Sequence, residues 1–155
     1  MVSTGYSNVG EEWSQKFTFR QDLITRDTTI DVLLFNDATD ATDDTSDVGD
    51  ITTEPTDGNY TRQTFTVDST DVTLSIESGD LRATAEVTFD TDGTTGSVDA
   101  SACVVDFQSD VVNAEGSANP HLIYSGLLQD SDGNPFTADL SQFTSLTTTV
   151  QLDLA

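Results

Sequence analysis

At 155 residues the chain is long enough for one domain with a core of its own. Its 28 acidic residues against five basic ones give a formal net charge of −23, which argues against nucleic acid and anionic membrane as partners, since both need a basic patch. No apolar run is long enough to span a membrane, no signal-peptide pattern opens the chain, and the single cysteine, Cys103, leaves no intrachain disulfide to form.

Period-two alternation, the mark of half-buried strands, runs through the chain, and helical periodicity is nearly absent. "WSQKFTFR" sets Trp13, Phe17 and Phe19 on one face and Ser14, Lys16, Thr18 and Arg20 on the other. "TTIDVLLF" predicts a mostly apolar strand around Ile30, Val32 and Leu34. Between Asp37 and Asp57 lie eight acidic residues and no basic one, without apolar alternation; the stretch 37–58 reads as a long loop between strands. "YTRQTFTV" and "DVTLSIE" follow, the second with Val72, Leu74 and Ile76 on one side. "LRATAEVTF" alternates most cleanly, with Leu81, Ala83, Ala85, Val87 and Phe89 facing in. "ACVVDFQ" and "HLIYSGLL" predict strands buried on both faces, and "SLTTTVQLDL" turns Leu146, Val150, Leu152 and Leu154 inward. Turn residues at 77–80, 90–96 and 130–135 separate these runs. About eight Thr-rich and β-branched strands in one domain over residues 1–155 predict an all-β, jelly-roll-like β-sandwich.

The charge has its own physical consequence. A compact chain carrying this much negative charge repels itself, and the Debye length shrinks from about 8 Å at physiological ionic strength to about 3 Å at 1 M. The composition therefore points to a protein built for molar salt. On this reading the 37–58 loop, with Asp40, Asp43, Asp44 and Asp47, is a hydrated surface rather than a metal cage or a disordered tail.

Candidate sites are few. "DSDGN" places Asp130, Asp132 and Asn134 at the first, third and fifth positions of a calcium-loop pattern. An EF-hand needs Gly at the sixth position and Glu at the twelfth, where Pro135 and Ser141 stand, so a hairpin turn explains the stretch as well. These three residues are the candidate metal ligands, and no cofactor is expected beyond a loosely bound divalent cation, calcium or magnesium. The single histidine, His121, opens an apolar run, and no nucleophile elbow, zinc spacing or phosphate loop is present. Cys103 lies within "ACVVDF" and reads as a buried thiol; "NYT" at 59–61 matches a glycosylation sequon that a Thr-rich chain produces by chance. An enzyme is not expected.

Two blocks of residues resemble a family of small proteins of tailed viruses. The first is Leu34, Phe35 and Asn36; the second, after an acidic stretch, is Thr53, Glu54, Gly58, Tyr60, Arg62 and Gln63. The order continues through "AEVTFDTDGTTGSVDASACVVDFQ" and "HLIYSGLL" to an alternating C-terminal strand. The resemblance implies a virion structural protein of β-sandwich or jelly-roll fold, a head decoration, turret or fibre component, and the acidic composition points to a virus of halophilic archaea. The expected partners are copies of the chain itself and the major capsid protein or another virion protein, with the protein made in the host cytoplasm. The competing expectation is an adhesion module that binds host-surface glycans or proteins. The expected interface comprises Trp13, Lys16, Phe17 and Arg20, which belong to the least acidic part of the chain, together with Arg62. As one of five cations, Arg62 is expected to have a specific partner: Glu54, another loop carboxylate or a neighbouring subunit.

Overall fold

The computed structural model describes residues 5–6, 29–43, 46–77, 80–105 and 120–153. Ten strands run through them: β1 (Gly5–Tyr6), β2 (Thr29–Phe35), β3 (Gln63–Thr66), β4 (Val72–Glu77), β5 (Asp80–Asp90), β6 (Ser97–Val98), β7 (Ala100–Val105), β8 (His121–Leu127), β9 (Ala138–Asp139) and β10 (Ser145–Asp153). The only helical pieces among the described residues are short 3-10 turns at Val48–Asp50 and Leu140–Gln142. Seven of the eight expected strands correspond to β2, β3, β4, β5, β7, β8 and β10. The eighth, with Trp13, Lys16, Phe17 and Arg20, lies outside the described residues. The strands that sequence patterning misses, β1, β6 and β9, have two residues each, too few to alternate.

All pairings are antiparallel. The strands form a five-stranded sheet in the order β1-β8-β7-β2-β3, a three-stranded sheet in the order β10-β5-β4, and a β6-β9 ribbon. The two larger sheets face each other as a β-sandwich over one core. Ile30, Val32 and Leu34 from β2, Phe65 from β3, Cys103 and Val105 from β7 and Ile123 from β8 meet Ala85, Val87 and Phe89 from β5 and Val150 from β10. On β5 and β10 the residues between these, Glu86, Thr88, Thr147 and Thr149, are exposed, so the alternation in sequence is the alternation in space.

β2 and β7 break that alternation, and the structure gives the reason. Leu33, Phe35, Ala100, Ala102 and Val104 point away from the core yet are buried, with Leu122 of β8 among them. Val48 and Ile51 of the long acidic segment pack on this second cluster. Thr42, from the same segment, shares a 2.8 Å hydrogen bond with Ser125 of β8 and is itself buried. The outer face of the five-stranded sheet is thus covered by the acidic loop, which turns apolar and hydroxyl groups down and most of its carboxylates out. The expectation of a plain solvated surface is corrected to this extent: the loop is a lid on a sheet.

Candidate functional site: a polar latch between the acidic loop and β2

The latch begins where a ladder stops. β3 pairs with β2 only from Thr29 to Val32, so among the described residues no strand flanks the backbone of β2 beyond that point on that side. The N–H of Leu34 donates instead to the hydroxyl of Tyr60 at 2.9 Å. Tyr60 is held there by its ring, which stacks on Phe89 with centroids 5.6 Å apart and planes 6° off parallel. The hydroxyl in turn donates to Glu54 Oε1 at 3.3 Å. Burial, reinforced by the carboxylate beside it, pushes the phenol well above its usual pKa, so it stays protonated and keeps both hydrogen bonds.

Glu54 is also clasped by Arg62. Nε donates to Oε1 at 2.9 Å and Nη2 to Oε2 at 2.7 Å, the bidentate geometry that suits guanidinium and carboxylate. The Glu54 hydrogen bonds, with its charge, raise the Arg62 pKa above its ordinary value against the opposing effect of partial burial. Of the partners expected for Arg62, the protein uses Glu54.

One turn away, Asp40 does a different job. It is buried, and its carboxylate accepts four hydrogen bonds: from the backbone and hydroxyl of Thr52 and from the backbone and hydroxyl of Thr53. The Thr53 hydroxyl also accepts the N–H of Asn36 at 2.8 Å, so β2, Asp40 and the segment leading to Glu54 are joined in series. Burial pushes the Asp40 carboxyl up, but the hydrogen bonds from Thr53 and Thr52 outweigh it and hold the pKa below the ordinary 3.8.

Gly58 fixes the far end. Its φ of +60° favours glycine, and a Cβ there would run into the Thr94 amide and the Gly93 carbonyl carbon. Beside it Asp57 accepts from the Thr95 hydroxyl at 2.6 Å and from the Thr95 N–H at 3.1 Å, which holds its carboxyl below the usual range. Asn59 N–H donates to the Asp92 carbonyl at 2.9 Å. A surface recess of about 500 Å³ adjoins this turn, but Asn59 and Asp90 on its wall are hydrogen-bonded to each other.

Most residues of the two sequence blocks, Leu34–Asn36 and Thr53–Gln63, therefore meet in space. Two hydrogen-bonded series, Leu34–Tyr60–Glu54–Arg62 and Asn36–Thr53–Asp40, run side by side and are joined through the backbone at Thr53–Glu54, with Gly58 anchoring the segment between Glu54 and Tyr60. Each hydrogen-bonding group named in the two series is matched to another. Asp40 is the member that sequence reasoning did not single out. Nothing in its spacing separates it from Asp43 or Asp47, and the only hint is the Thr52–Thr53 pair of donors ahead of Glu54.

Asp130, Asp132 and Asn134 sit together in the turn after β8. There Asp130 Oδ1 accepts the N–H groups of Asp132 and Asn134, both at 2.9 Å, and the Asn134 amide reaches Oδ2 at 3.3 Å. The Asn134 hydrogen bonds are the main reason its carboxyl lies below the usual range. This is the internal clasp of a turn, and among the described residues no group of three or more His, Cys, Asp and Glu side chains is placed to hold a metal ion. Cys103 is buried, its thiol pushed up to about 12 by burial, and His121 is buried at the start of β8. Comparison of the chain with protein families, with curated proteins and with solved structures gives no match in any of the three.

Proposed function

We propose that the chain is a non-enzymatic structural component of the virion of a tailed virus of halophilic archaea. In this role it is a capsid decoration or turret protein that binds copies of itself and the major capsid protein or another virion protein. The observation that supports the reading is the latch: Leu34 and Asn36 of the first block that suggests the tailed-virus resemblance, and Thr53, Glu54, Tyr60 and Arg62 of the second, lie together in hydrogen bonds whose chemistry is positional. A virion surface protein needs rigid sheets and a solvated outside, and a lid that keeps carboxylates outward while its threonines and apolar residues grip the sheet supplies both. The net charge of −23 suits particles assembled in molar salt, where carboxylates hold water and their repulsion is screened.

The test is on particles. Antibodies raised against the chain are applied to tailed particles purified in molar salt from a host culture that makes the protein. Gold label on the particle heads is the expected result. Bare particles, with the protein confined to the cell lysate, overturn the reading.

A further inference from the structure

The lid and the sandwich stand on separate supports. Among the described residues, no member of the main core lies in 37–58. The N–H groups of Thr39 and Asp40 donate to the Asn36 carbonyl, that of Asp50 to the Asp47 carbonyl and that of Ile51 to the Val48 carbonyl. These backbone bonds stay inside the lid or at its root, and the Asp40 clasp on Thr52 and Thr53 lies wholly within it. Side chains fasten the lid to the sheet below. The Thr42 hydroxyl shares its hydrogen bond with Ser125, and the Asp37 N–H donates to Asp99 Oδ1 at 2.6 Å. Val48 and Ile51 pack on the cluster that holds Leu33, Phe35 and Ala102. A segment held in this way opens at a lower free energy than the ladders beneath it.

Charge acts where the lid grips. Val48 opens the 3-10 turn Val48–Asp50 and Ile51 follows it, and the exposed carboxylates of Asp47 and Asp50 belong to the same turn, with Asp50 Oδ2 accepting the Asp47 N–H at 2.9 Å. Eight acids and no base lie between Asp37 and Asp57 in a chain of net charge −23, so repulsion lifts the lid while its apolar residues draw it down. The Debye length is about 8 Å at physiological ionic strength and about 3 Å at 1 M, so dilution of salt strengthens only the repulsion. We propose that the lid is a salt-gated strap, shut on the outer face of β2, β7 and β8 in molar salt and raised as one piece at physiological ionic strength, while the sandwich core stays folded. Its fixed ends are Asn36, which continues β2, and Glu54, held by Arg62. Raising it bares Leu33, Phe35 and Ala102, so ionic strength decides whether this apolar face is presented. The device rests on the charge and fastenings of the lid and not on the virion reading, so either can fail alone.

Thiol labelling tests it, because neighbouring positions on β7 report on the two faces of the sheet. Ala102 is buried in the cluster under the lid, paired with Leu33 on one side and on the other with Ser125, the partner of Thr42. Cys103, next to it, is buried in the main core. With an uncharged maleimide, the Ala102→Cys thiol is expected to react at least tenfold faster in about 0.15 M KCl than in about 3 M KCl, the range over which screening changes most. At the lower salt it is also expected to react at least tenfold faster than Cys103. Ala100→Cys, on the same face, repeats the measurement if circular dichroism shows the Ala102→Cys chain to be unfolded. Labelling under the lid no faster than at Cys103 at either salt overturns the proposal, because the face then opens only with the whole fold. A rate under the lid that ignores salt overturns it too. Adding Asp43→Asn, Asp47→Asn and Asp50→Asn, which keep an acceptor oxygen at each turn, is expected to slow labelling under the lid at the lower salt at least tenfold. An unchanged rate in that variant would show that the lid lifts without its charge, and the proposal would fall.

Discussion

The five-stranded sheet is covered on its core face by the opposing sheet and over β2, β7 and β8 by the acidic loop, whereas at the β4 end of the three-stranded sheet Leu74 and Ile76 are exposed. The difference follows from chain length between strands. Some 27 residues separate Phe35 from Gln63, enough to fold back over β2, β7 and β8, while only two residues separate Glu77 from Asp80, too few to cover a sheet. It also shows that carboxylates in so acidic a chain are not one uniform coat. Asp40 and Asp57 act as connectors whose oxygens collect threonine donors, while among the described residues the Val72–Ile76 stretch of β4 carries no carboxylate.

The comparison breaks if the covered and open faces respond alike to truncation. Phe89 is fully buried and stacks on Tyr60, so Phe89→Ala removes packing from the core and the latch together. A loss of about 3–5 kcal/mol is expected. Leu74→Ala, on the open face, is expected to change stability by no more than about 0.5 kcal/mol in dilute protein. Urea unfolding in about 3 M KCl measures both, and similar losses would mean that Leu74 is covered in solution.

Asp40→Asn probes the lid. The amide offers one oxygen where the carboxylate satisfies four donors, so a loss of about 2–3 kcal/mol is expected, mostly from donors left unmatched. The pH dependence has a definite sign. A carboxyl whose folded pKa lies below its unfolded value stabilises the fold fully above the unfolded value, near 3.8 here, and loses that contribution as pH falls through the folded one. The stability gap between wild type and Asp40→Asn is therefore expected to be constant from pH 7 to about pH 5 and to narrow below about pH 4. Taking the difference cancels the titration of the other carboxylates, including Asp57 and Asp130, which shift in the same direction. A gap unchanged at pH 3 would show that Asp40 acts through shape rather than charge.

Much of the sandwich is legible in the sequence because strand alternation is a local signal. Ala85, Val87 and Phe89 can be placed inward from their neighbours alone. The pairing of Arg62 with Glu54 is legible for another reason: five cations among 28 acids make any one of them conspicuous, and Glu54 is close in the chain. What the alternation cannot carry is reach. It puts Leu74 and Ile76 on the same side as Val72 but does not say where the opposite sheet ends. It marks "VLLF" as apolar without showing that Val48 and Ile51 arrive to cover Leu33 and Phe35. Asp40 is the clearest case. Its role depends on a chain reversal that brings Thr52 and Thr53 back to it, and no local pattern encodes that return.

The salt response separates the two kinds of carboxylate in the latch, and it is the smallest effect and the finest test. The Arg62 side chain is 34% exposed and that of Glu54 19% exposed, so their pair feels solvent ions. Arg62→Ala is expected to cost about 1 kcal/mol in 0.5 M KCl and less in 3 M KCl, as screening weakens the attraction that the substitution removes. Asp40 draws on neutral hydroxyl and amide donors at short range, so the Asp40→Asn loss should stay level over the same range. Unfolding of both variants at the two salt concentrations decides the matter. If the Arg62 loss does not shrink with salt, the guanidinium holds the loop through its planar hydrogen bonds and packing against the latch, and the charge of Glu54 is incidental to the lid.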